Sequence, residues 1–296
     1  MSSLEALINR AKEWLSVDPD PETRTETERL LKEALDTQDQ TVLSAQFNGR
    51  LHFGTAGLRG AIGAGPQRMN TALIRLVSLG ISDYLSLDTE GRKGRIVIGY
   101  DGRHKSHQFA QEAALCFSHQ GFEVELATGL CPTPTLAFAV CHREAIAGVM
   151  VTASHNPPQD NGFKVYWGNG AQIIPPQDVE ISTAIDEVSW SRVGNLALDA
   201  VRESERGAIK TLDLSPNGMI GVQYRSLLNH QLSSIAVEES SASLKMVYTA
   251  MHGVGTEWFS ELVRHMPQVQ FIPVLEQVEP DPDFPTVNFP KGKEGA

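Results

Sequence analysis

An apolar strand that runs into two consecutive prolines constrains this chain most. Ala147–Val151 has the length and β-branched content of a buried strand. Thr152–Pro158 follows, and its prolines block ladder hydrogen bonds while asparagine before proline favours a turn. Open α/β sheets bind their ligands at the carboxyl ends of strands. The sequence therefore predicts that Ser154 and His155 lie at a ligand-binding edge of a sheet.

A lysine follows on the next apolar segment. Asn161–Trp167 predicts a second strand, with Lys164 near its start. Ser154, His155 and Lys164 lie close in sequence and form a candidate reaction centre. An ordinary turn explains the Ser-His pair equally well at this point. The Gly-x-Ser-x-Gly motif of hydrolases is absent around Ser154, and a serine hydroxyl needs an adjacent base to act as a nucleophile.

Two polar loops upstream of Ser154 also have features that suit ligand binding. Leu51–Gly60 holds three closely spaced glycines, which let a backbone approach a ligand, and Arg59 offers a planar donor suited to phosphate. Asp101–Ser106 follows the predicted strand Arg95–Tyr100 and precedes a helix, whose first amides favour an anion. Each loop also has a purely structural explanation. Leu51–Gly60 fits an ordinary glycine-rich turn, and Asp101–Ser106 fits an ordinary βα loop with a capping serine.

Strand and helix patterns alternate at short intervals from residue 71 onward, which predicts βαβ crossovers and a largely parallel sheet. Two helices are predicted before this region, the second opening at Pro21 with Asp20 as its N-cap. A polar stretch over residues 189–207 is the predicted linker. We expect a helical extension over residues 1–46 and two domains over residues 47–205 and 206–296.

Charge and cysteine content narrow the function classes. The formal net charge of −11 argues against nucleic acid as the main partner. The three cysteines have no metal-binding spacing, which is typical of reduced thiols in a cytosol. The first fifteen residues lack the apolar core of a signal peptide, and no apolar run has the length of a membrane span. We therefore expect a soluble cytoplasmic protein without a membrane partner.

Five motifs occur in the order seen in the α-D-phosphohexomutases, the phosphoglucomutase and phosphomannomutase family. They are Phe53–Gly60, Asp101–Arg103, Thr152–Pro157, Asn161–Lys164 and His252–Gly255. The chain resembles this family over nearly its whole length and is most similar to the phosphoglucomutase/phosphopentomutase branch. The resemblance implies three-layer α/β/α domains with mixed, mainly parallel sheets.

The resemblance also implies a mechanism centred on a phosphorylated serine. The phosphoryl group would pass from Ser154 to a sugar phosphate, giving a bisphosphate that reorients and returns its other phosphoryl group. Such chemistry requires positioning and charge stabilisation from the protein. The implied catalytic residues are Ser154, Lys164 as general acid/base, His155 as an orienting group, and Arg59 and Arg103 against the transferring phosphoryl group. The implied cofactor-binding positions are Thr55, Gly57 and Asn156, with a sugar 1,6-bisphosphate as activator.

The chain departs from the family pattern at the metal. Relatives hold Mg²⁺ between the phosphoserine and three aspartates of an Asp-x-Asp-x-Asp-Arg loop, which this sequence lacks. The implied metal contact is therefore Ser154 alone, through its phosphate. We expect a C-terminally truncated member with an incomplete second domain and neither of the two further domains that select the sugar and bind its distal phosphate.

Two functions remain open from the sequence. In the first, the chain is a sugar-phosphate mutase that interconverts hexose or pentose 1-phosphates with the 6- or 5-phosphates. In the second, it is a catalytically inactive fragment or phosphate-binding module of the same family. An incomplete second domain would leave a sheet edge and apolar surface uncovered, so we also expect association through it.

Overall fold

A mixed sheet of six strands forms the centre of the molecule. The computed structural model describes residues 3–89, 91, 93–196, 209–233 and 243–287, and the statements below concern those residues. The strands are β1 (Leu58–Ala61), β2 (Arg95–Tyr100), β3 (Glu123–Ala127), β4 (Ala147–Val151), β5 (Asp160–Trp167) and β6 (Ile209–Leu212). Their order is β1-β5-β4-β2-β3-β6. Strands β4, β2, β3 and β6 are parallel, whereas β5 runs antiparallel to both β4 and β1. The predicted mixed, mainly parallel α/β sheet is confirmed.

Helices cover the sheet because its central strands are apolar on both faces. All five residues of β4 are buried. The helices are α4 (Thr71–Asp88), α5 (Ser106–His119), α6 (Thr133–His142), α7 (Gln177–Glu187) and α8 (Trp190–Gly194). Helix α5 packs against β2, β3 and β4, while α6 packs against β2, β4 and β5. Helix α8 lies within the predicted linker, of which residues 197–207 are outside the described residues.

The N-terminal extension joins the core of the first sheet. It holds α1 (Leu4–Val17), α2 (Pro21–Thr37) and α3 (Thr41–Phe47), one helix more than the sequence predicted. Asp20 caps α2 as expected, accepting a hydrogen bond from the Glu22 amide at 3.0 Å. The Trp14 ring meets Trp190 edge-on at 4.9 Å and Phe47 at 6.4 Å. The first contact attaches α1 to α8, and the second joins α1 to α3 within the extension.

A smaller unit follows the first sheet. It contains α9 (Met219–Ser233), β7 (Leu244–Tyr248), α10 (Thr256–Val263), β8 (Val269–Pro273) and the short 3-10 helix η1 (Leu275–Gln277). Strands β7 and β8 pair in parallel. Tyr248 stacks on Phe259 with ring centroids 4.3 Å apart, and Phe271 lies against both rings. This aromatic cluster holds α10 on the two-stranded sheet.

Two predicted element boundaries change. Lys164 is in the middle of β5 because the strand already begins at Asp160, where it pairs with Ala61 of β1. The Ser215-Pro216 pair predicts the start of a helix, but the helix begins at Met219, since Ser215 first forms a turn. The predicted domain boundary between 205 and 206 is outside the described residues. Because β6 pairs with β3, we propose that the first domain extends through Leu214, which is buried against the same core.

The described part of the chain contains no helix that is both long and apolar enough to span a bilayer.

Asn70 fixes the entry into α4. Its Oδ1 accepts the Leu73 amide at 2.9 Å, and its Nδ2 lies 2.8–3.1 Å from three backbone carbonyls. Those carbonyls belong to Gly63, Gly65 and Arg68. The side chain is 1% exposed, so water does not replace these bonds.

The Asn70→Ala variant is expected to lower the free energy of unfolding by about 2–4 kcal/mol, because it removes a helix cap and leaves buried carbonyls unpaired. Urea denaturation measures this. The control is Ser3→Ala, which removes the exposed cap of α1 and should cost about 1 kcal/mol or less. Equal losses in the two variants would contradict the role of Asn70.

The small unit leaves apolar side chains uncovered. Val247 and Ile272 are partners in the β7–β8 register and are 70% and 38% exposed. If this face mediates the predicted association, apparent mass in size-exclusion chromatography rises with protein concentration, and Val247→Lys abolishes the rise. Ser226→Lys, on the surface of α9, adds the same charge and should leave the rise intact. A monomer at every concentration would contradict the prediction.

Candidate active site

Ser154 stands beyond the carboxyl end of β4 in a strained turn. Its φ is +57°, in the left-handed region that non-glycine residues seldom adopt. The Ser154 amide donates to Thr152 Oγ1 at 2.9 Å, and Thr152 in turn donates its amide to the Gly162 carbonyl of β5 at 3.1 Å. These bonds turn Ser154 out of the strand direction. Ser154 and His155 are both exposed, as a reacting serine requires.

The guanidinium of Arg103 holds this turn in shape. Its Nη2 donates to the carbonyls of Ser154 and Asn156 at 2.7 and 2.8 Å, and its Nη1 donates to those of Pro157 and Asp160 at 2.9 and 3.2 Å. Arg103 is 5% exposed, and burial lowers its pKa, although nearby Asp101 opposes the shift. Direct contact of Arg103 with the phosphoryl group was the expectation. The structure instead commits both Nη atoms to the serine turn.

Two residues outside the predicted site, Asp101 and Asn161, hold the Asp101–Ser106 loop. Asp101 Oδ1 accepts the Arg103 amide at 3.1 Å and the Ser106 hydroxyl at 2.7 Å. Asn161 is fully buried, and its Nδ2 donates to the His104 carbonyl and to Ser106 Oγ. Both lie inside motifs already noted, but no feature of the sequence showed that their side chains bind the same loop.

Lys164 and Arg59 form a second group of positive charges. Lys164 is 9% exposed, and burial lowers its pKa; Arg59 lowers it further, while Asp101 opposes the shift. Among the described residues, Lys164 Nζ has no hydrogen bond, and the buried Arg59 Nε is also without one. Arg59 is opposite Gly162 in the β1–β5 register. This pair of cations fits an anionic ligand.

Gly57 and Gly162 let three chain segments approach each other here. A Cβ on Gly57, whose φ is +74°, would lie 1.9 Å from the Phe163 carbonyl oxygen. One on Gly162 would lie 2.7 Å from the carbonyl oxygens of both Leu58 and Thr152. Thr55 is exposed nearby and accepts a hydrogen bond from Gln172 at 2.7 Å through its carbonyl.

An open cleft of about 310 Å³ brings part of the predicted site together. Ser154, His155 and Arg103 line it, together with Ala250–Val254 and Phe284 of the smaller unit. The other predicted residues are outside its lining; they are Thr55, Gly57, Arg59, Asn156 and Lys164. Larger cavities of about 440 and 640 Å³ contain none of the predicted residues.

Asn156 has a structural contact within the serine turn. Its Nδ2 donates to Asp160 Oδ2 at 2.9 Å. No group of three or more His, Cys, Asp or Glu side chains suited to a metal ion occurs in the residues that the structure describes. The side chains of the described residues do not by themselves supply a Mg²⁺ site.

Known proteins resemble both parts of the chain. Residues 50–192 match Phosphoglucomutase/phosphomannomutase, alpha/beta/alpha domain I, and residues 223–295 match domain II of the same family. Human phosphopentomutase is 37% identical over 298 residues, covering 98% of this chain and 47% of its own length. A Staphylococcus saprophyticus phosphoglucomutase is 32% identical over 260 residues, covering 88% of this chain and 45% of its own.

A solved structure shares the fold. A candidate phosphomannomutase from Thermus thermophilus superimposes with a TM-score of 0.63 at 29% identity, covering 81% of this chain and 48% of that one. The chain spans about half the length of the curated relatives it matches. Both domain matches, in the family's order, lead to one conclusion: the chain belongs to the phosphoglucomutase/phosphomannomutase family.

Proposed function

We propose that the chain acts in a sugar-phosphate mutase and carries the transferred phosphoryl group on Ser154. The observation that carries this proposal is the exposed, left-handed Ser154 in a turn held by Arg103, beside a cleft. The relatives support the reaction class, since they are named phosphopentomutase, phosphoribomutase and phosphoglucomutase. The proposal further includes a phosphoserine and a bisphosphate intermediate.

In the proposed reaction, the bond between Ser154 Oγ and phosphorus breaks as a sugar hydroxyl oxygen bonds to phosphorus. The proton of the sugar hydroxyl passes, with Lys164 as the general acid/base, to the leaving serine oxygen, which becomes a neutral hydroxyl. The resulting sugar bisphosphate then returns its other phosphoryl group to Ser154. A sugar 1,6-bisphosphate therefore serves as the activator that first loads the serine.

The positive side chains stabilise this transfer. Lys164 and Arg59 supply charge for the phosphoryl oxygens, because both are at least partly buried and neither is neutralised by an ion pair among the described residues. The lowered pKa of Lys164 also makes its neutral form accessible at lower pH, which suits a general acid/base. His155 is exposed in the cleft and orients the substrate. Arg103 acts through the turn that holds Ser154.

Mg²⁺ would supply additional charge neutralisation at the phosphoserine when bound, with Ser154 as its proposed contact through the phosphate. Thr55, Gly57 and Asn156 remain proposed positions for binding the bisphosphate. We also propose a cytoplasmic location, which the free thiols of Cys116, Cys131 and Cys141 support.

A second candidate is a phosphate-binding module without turnover. The lack of a metal-binding cluster among the described residues favours it. The two candidates differ in whether the chain interconverts glucose 1-phosphate or ribose 1-phosphate with the isomeric phosphate. Loading of the serine can be measured separately from turnover.

Incubation with glucose 1,6-bisphosphate and Mg²⁺ is expected to add one phosphoryl group to the wild-type chain, located on Ser154 by peptide mass spectrometry. Ser154→Ala should abolish the addition, because the accepting oxygen is gone. Ser226→Ala, on the exposed face of α9, is the matched control and should be loaded normally. Loading that survives Ser154→Ala would contradict the proposed phosphoserine. Loading of Ser154 without turnover of the sugar phosphate would identify the chain as the phosphate-binding module.

Lys164→Met is expected to slow loading of Ser154 by about 100-fold, the usual effect of losing one charged stabiliser of a transition state. It should not lower stability at pH 7, because burial penalises the lysine's charge. Quenched-flow mass spectrometry and urea denaturation measure the two effects. Lys32→Met, on an exposed face of α2, should change neither. Unchanged loading in Lys164→Met would remove Lys164 from the mechanism.

The same variant has an expected pH signature. Because the folded pKa of Lys164 is below its ordinary value of 10.5, the unfolded chain binds more protons between these two pKa values. Wild-type stability therefore rises with pH in that window, whereas Lys164→Met lacks this contribution. The free energy of unfolding of the wild type minus that of Lys164→Met should therefore increase as the pH rises to 10.5. A constant difference would contradict the lowered pKa.

A further inference from the structure

We propose that Phe284, in the smaller unit, is a positioning residue for Ser154 and acts through the guanidinium of Arg103. The inference rests on the proposed function, because it assigns Phe284 a part in presenting the phosphorylated serine. It concerns a segment of the smaller unit, Pro280–Thr286, that we call the strap.

The strap contacts the Asp101–Ser106 loop at three successive residues. A Cβ on Gly102 would lie 3.1 Å from Pro280 Cβ, so the two backbones are close. The centroid of the Phe284 ring is 5.0 Å from Arg103 Cζ. His104 Nε2 lies 2.7 Å from Asp283 Oδ1. The strap therefore covers the loop from which Arg103 reaches the serine turn.

The other side of the strap is anchored in the smaller unit. The Asp281 amide donates to the His252 carbonyl at 3.1 Å, and His252 Nε2 lies 2.8 Å from Thr286 Oγ1. Gln277 Nε2 donates to the same hydroxyl at 2.8 Å. His252 itself is 6% exposed. These bonds fix the position of Phe284 relative to β7 and η1.

Phe284 is built into this contact. It is 8% exposed, and its φ is +48°, a left-handed conformation that is costly for a bulky residue. Surrounding contacts must over-determine such a conformation for it to persist, and strain of this kind clusters at functional sites. The aromatic ring supplies an attractive surface for a buried cation.

Arg103 receives its restraints on two sides. The edge of its guanidinium donates to four carbonyls of the serine turn, as described above. The Phe284 ring adds a cation–π contact within the usual limit of about 6 Å. Removal of the aromatic ring would leave the guanidinium free to tilt away from the carbonyls. The order of the serine turn thereby depends on a side chain from the smaller unit.

The test compares hydrogen–deuterium exchange in peptides covering residues 152–160 of the full chain. The amides of Asn156 and Asp160 are informative because both are hydrogen-bonded within the turn. Phe284→Leu keeps an apolar side chain but removes the ring, and should speed exchange there about two- to fivefold. Phe284→Tyr keeps the aromatic face and should exchange like the wild type. If Phe284→Leu fails to fold, Phe284→Met makes the same comparison.

Phe271→Leu is the matched control, because it removes a ring from the aromatic cluster of the same unit and Phe271 has no contact with Arg103. It should leave exchange at residues 152–160 unchanged. An unchanged rate in Phe284→Leu would overturn the proposal. Equal acceleration in Phe271→Leu would also overturn it, since general loosening of the unit would then explain the effect.

Loading of Ser154 by glucose 1,6-bisphosphate provides the functional readout. Phe284→Leu should load at least about twofold more slowly than the wild type, and Phe284→Tyr should restore the rate. Normal loading in Phe284→Leu would overturn the positioning role. If the wild type is never loaded, the proposed function fails, and the exchange measurement alone decides whether Phe284 orders the turn.

Discussion

The bonds from the Arg103 guanidinium to four backbone carbonyls are the interaction on which the rest of the site depends. A serine in the left-handed region is unfavourable by itself, and a polar turn with two prolines has few bonds of its own. The buried guanidinium of Arg103 supplies the hydrogen bonds that hold the turn. Asp101 and Asn161 fix the loop that carries this cation. The geometry of Ser154 thus comes from residues on β5 and on the loop between β2 and α5.

The charge of the site is divided between two groups with different tasks. Arg103 donates its Nη hydrogen bonds to backbone carbonyls, so its positive charge stabilises the conformation of the serine turn. Lys164 and Arg59 keep unpaired donor capacity within the described residues, and burial makes their charge more effective. Gly57 and Gly162 let the strands that carry these cations approach the serine turn. The proposed mutase reaction would need both functions, because phosphoryl transfer relies on positioning and charge rather than on a strong nucleophile.

Local sequence patterns predicted the fold class and the strand that precedes Ser154, because short-range periodicity and proline chemistry determine those features. They placed Lys164 near the start of a strand, since pairing of Asp160 with Ala61 is a long-range event that the sequence does not display. The hydrogen bonds from Arg103 to the serine turn were not predicted, because an arginine motif indicates donors but not their acceptors. Phe284 was not predicted as a site residue, because its proposed role depends on a contact with Arg103, which is distant in sequence.

The edge-on contact between Trp14 and Trp190 has a consequence for how the chain folds. The first helix packs on a residue that follows all but the last strand of the first sheet in sequence. During synthesis, α1 emerges early but has no Trp190 partner until β1 through β5 have been made. Docking of α1 on α8 is therefore a late, long-range event, and contacts of this kind slow folding. Until then α1 can pack only on α2 and α3, which follow it directly in the chain and contact it in the folded domain.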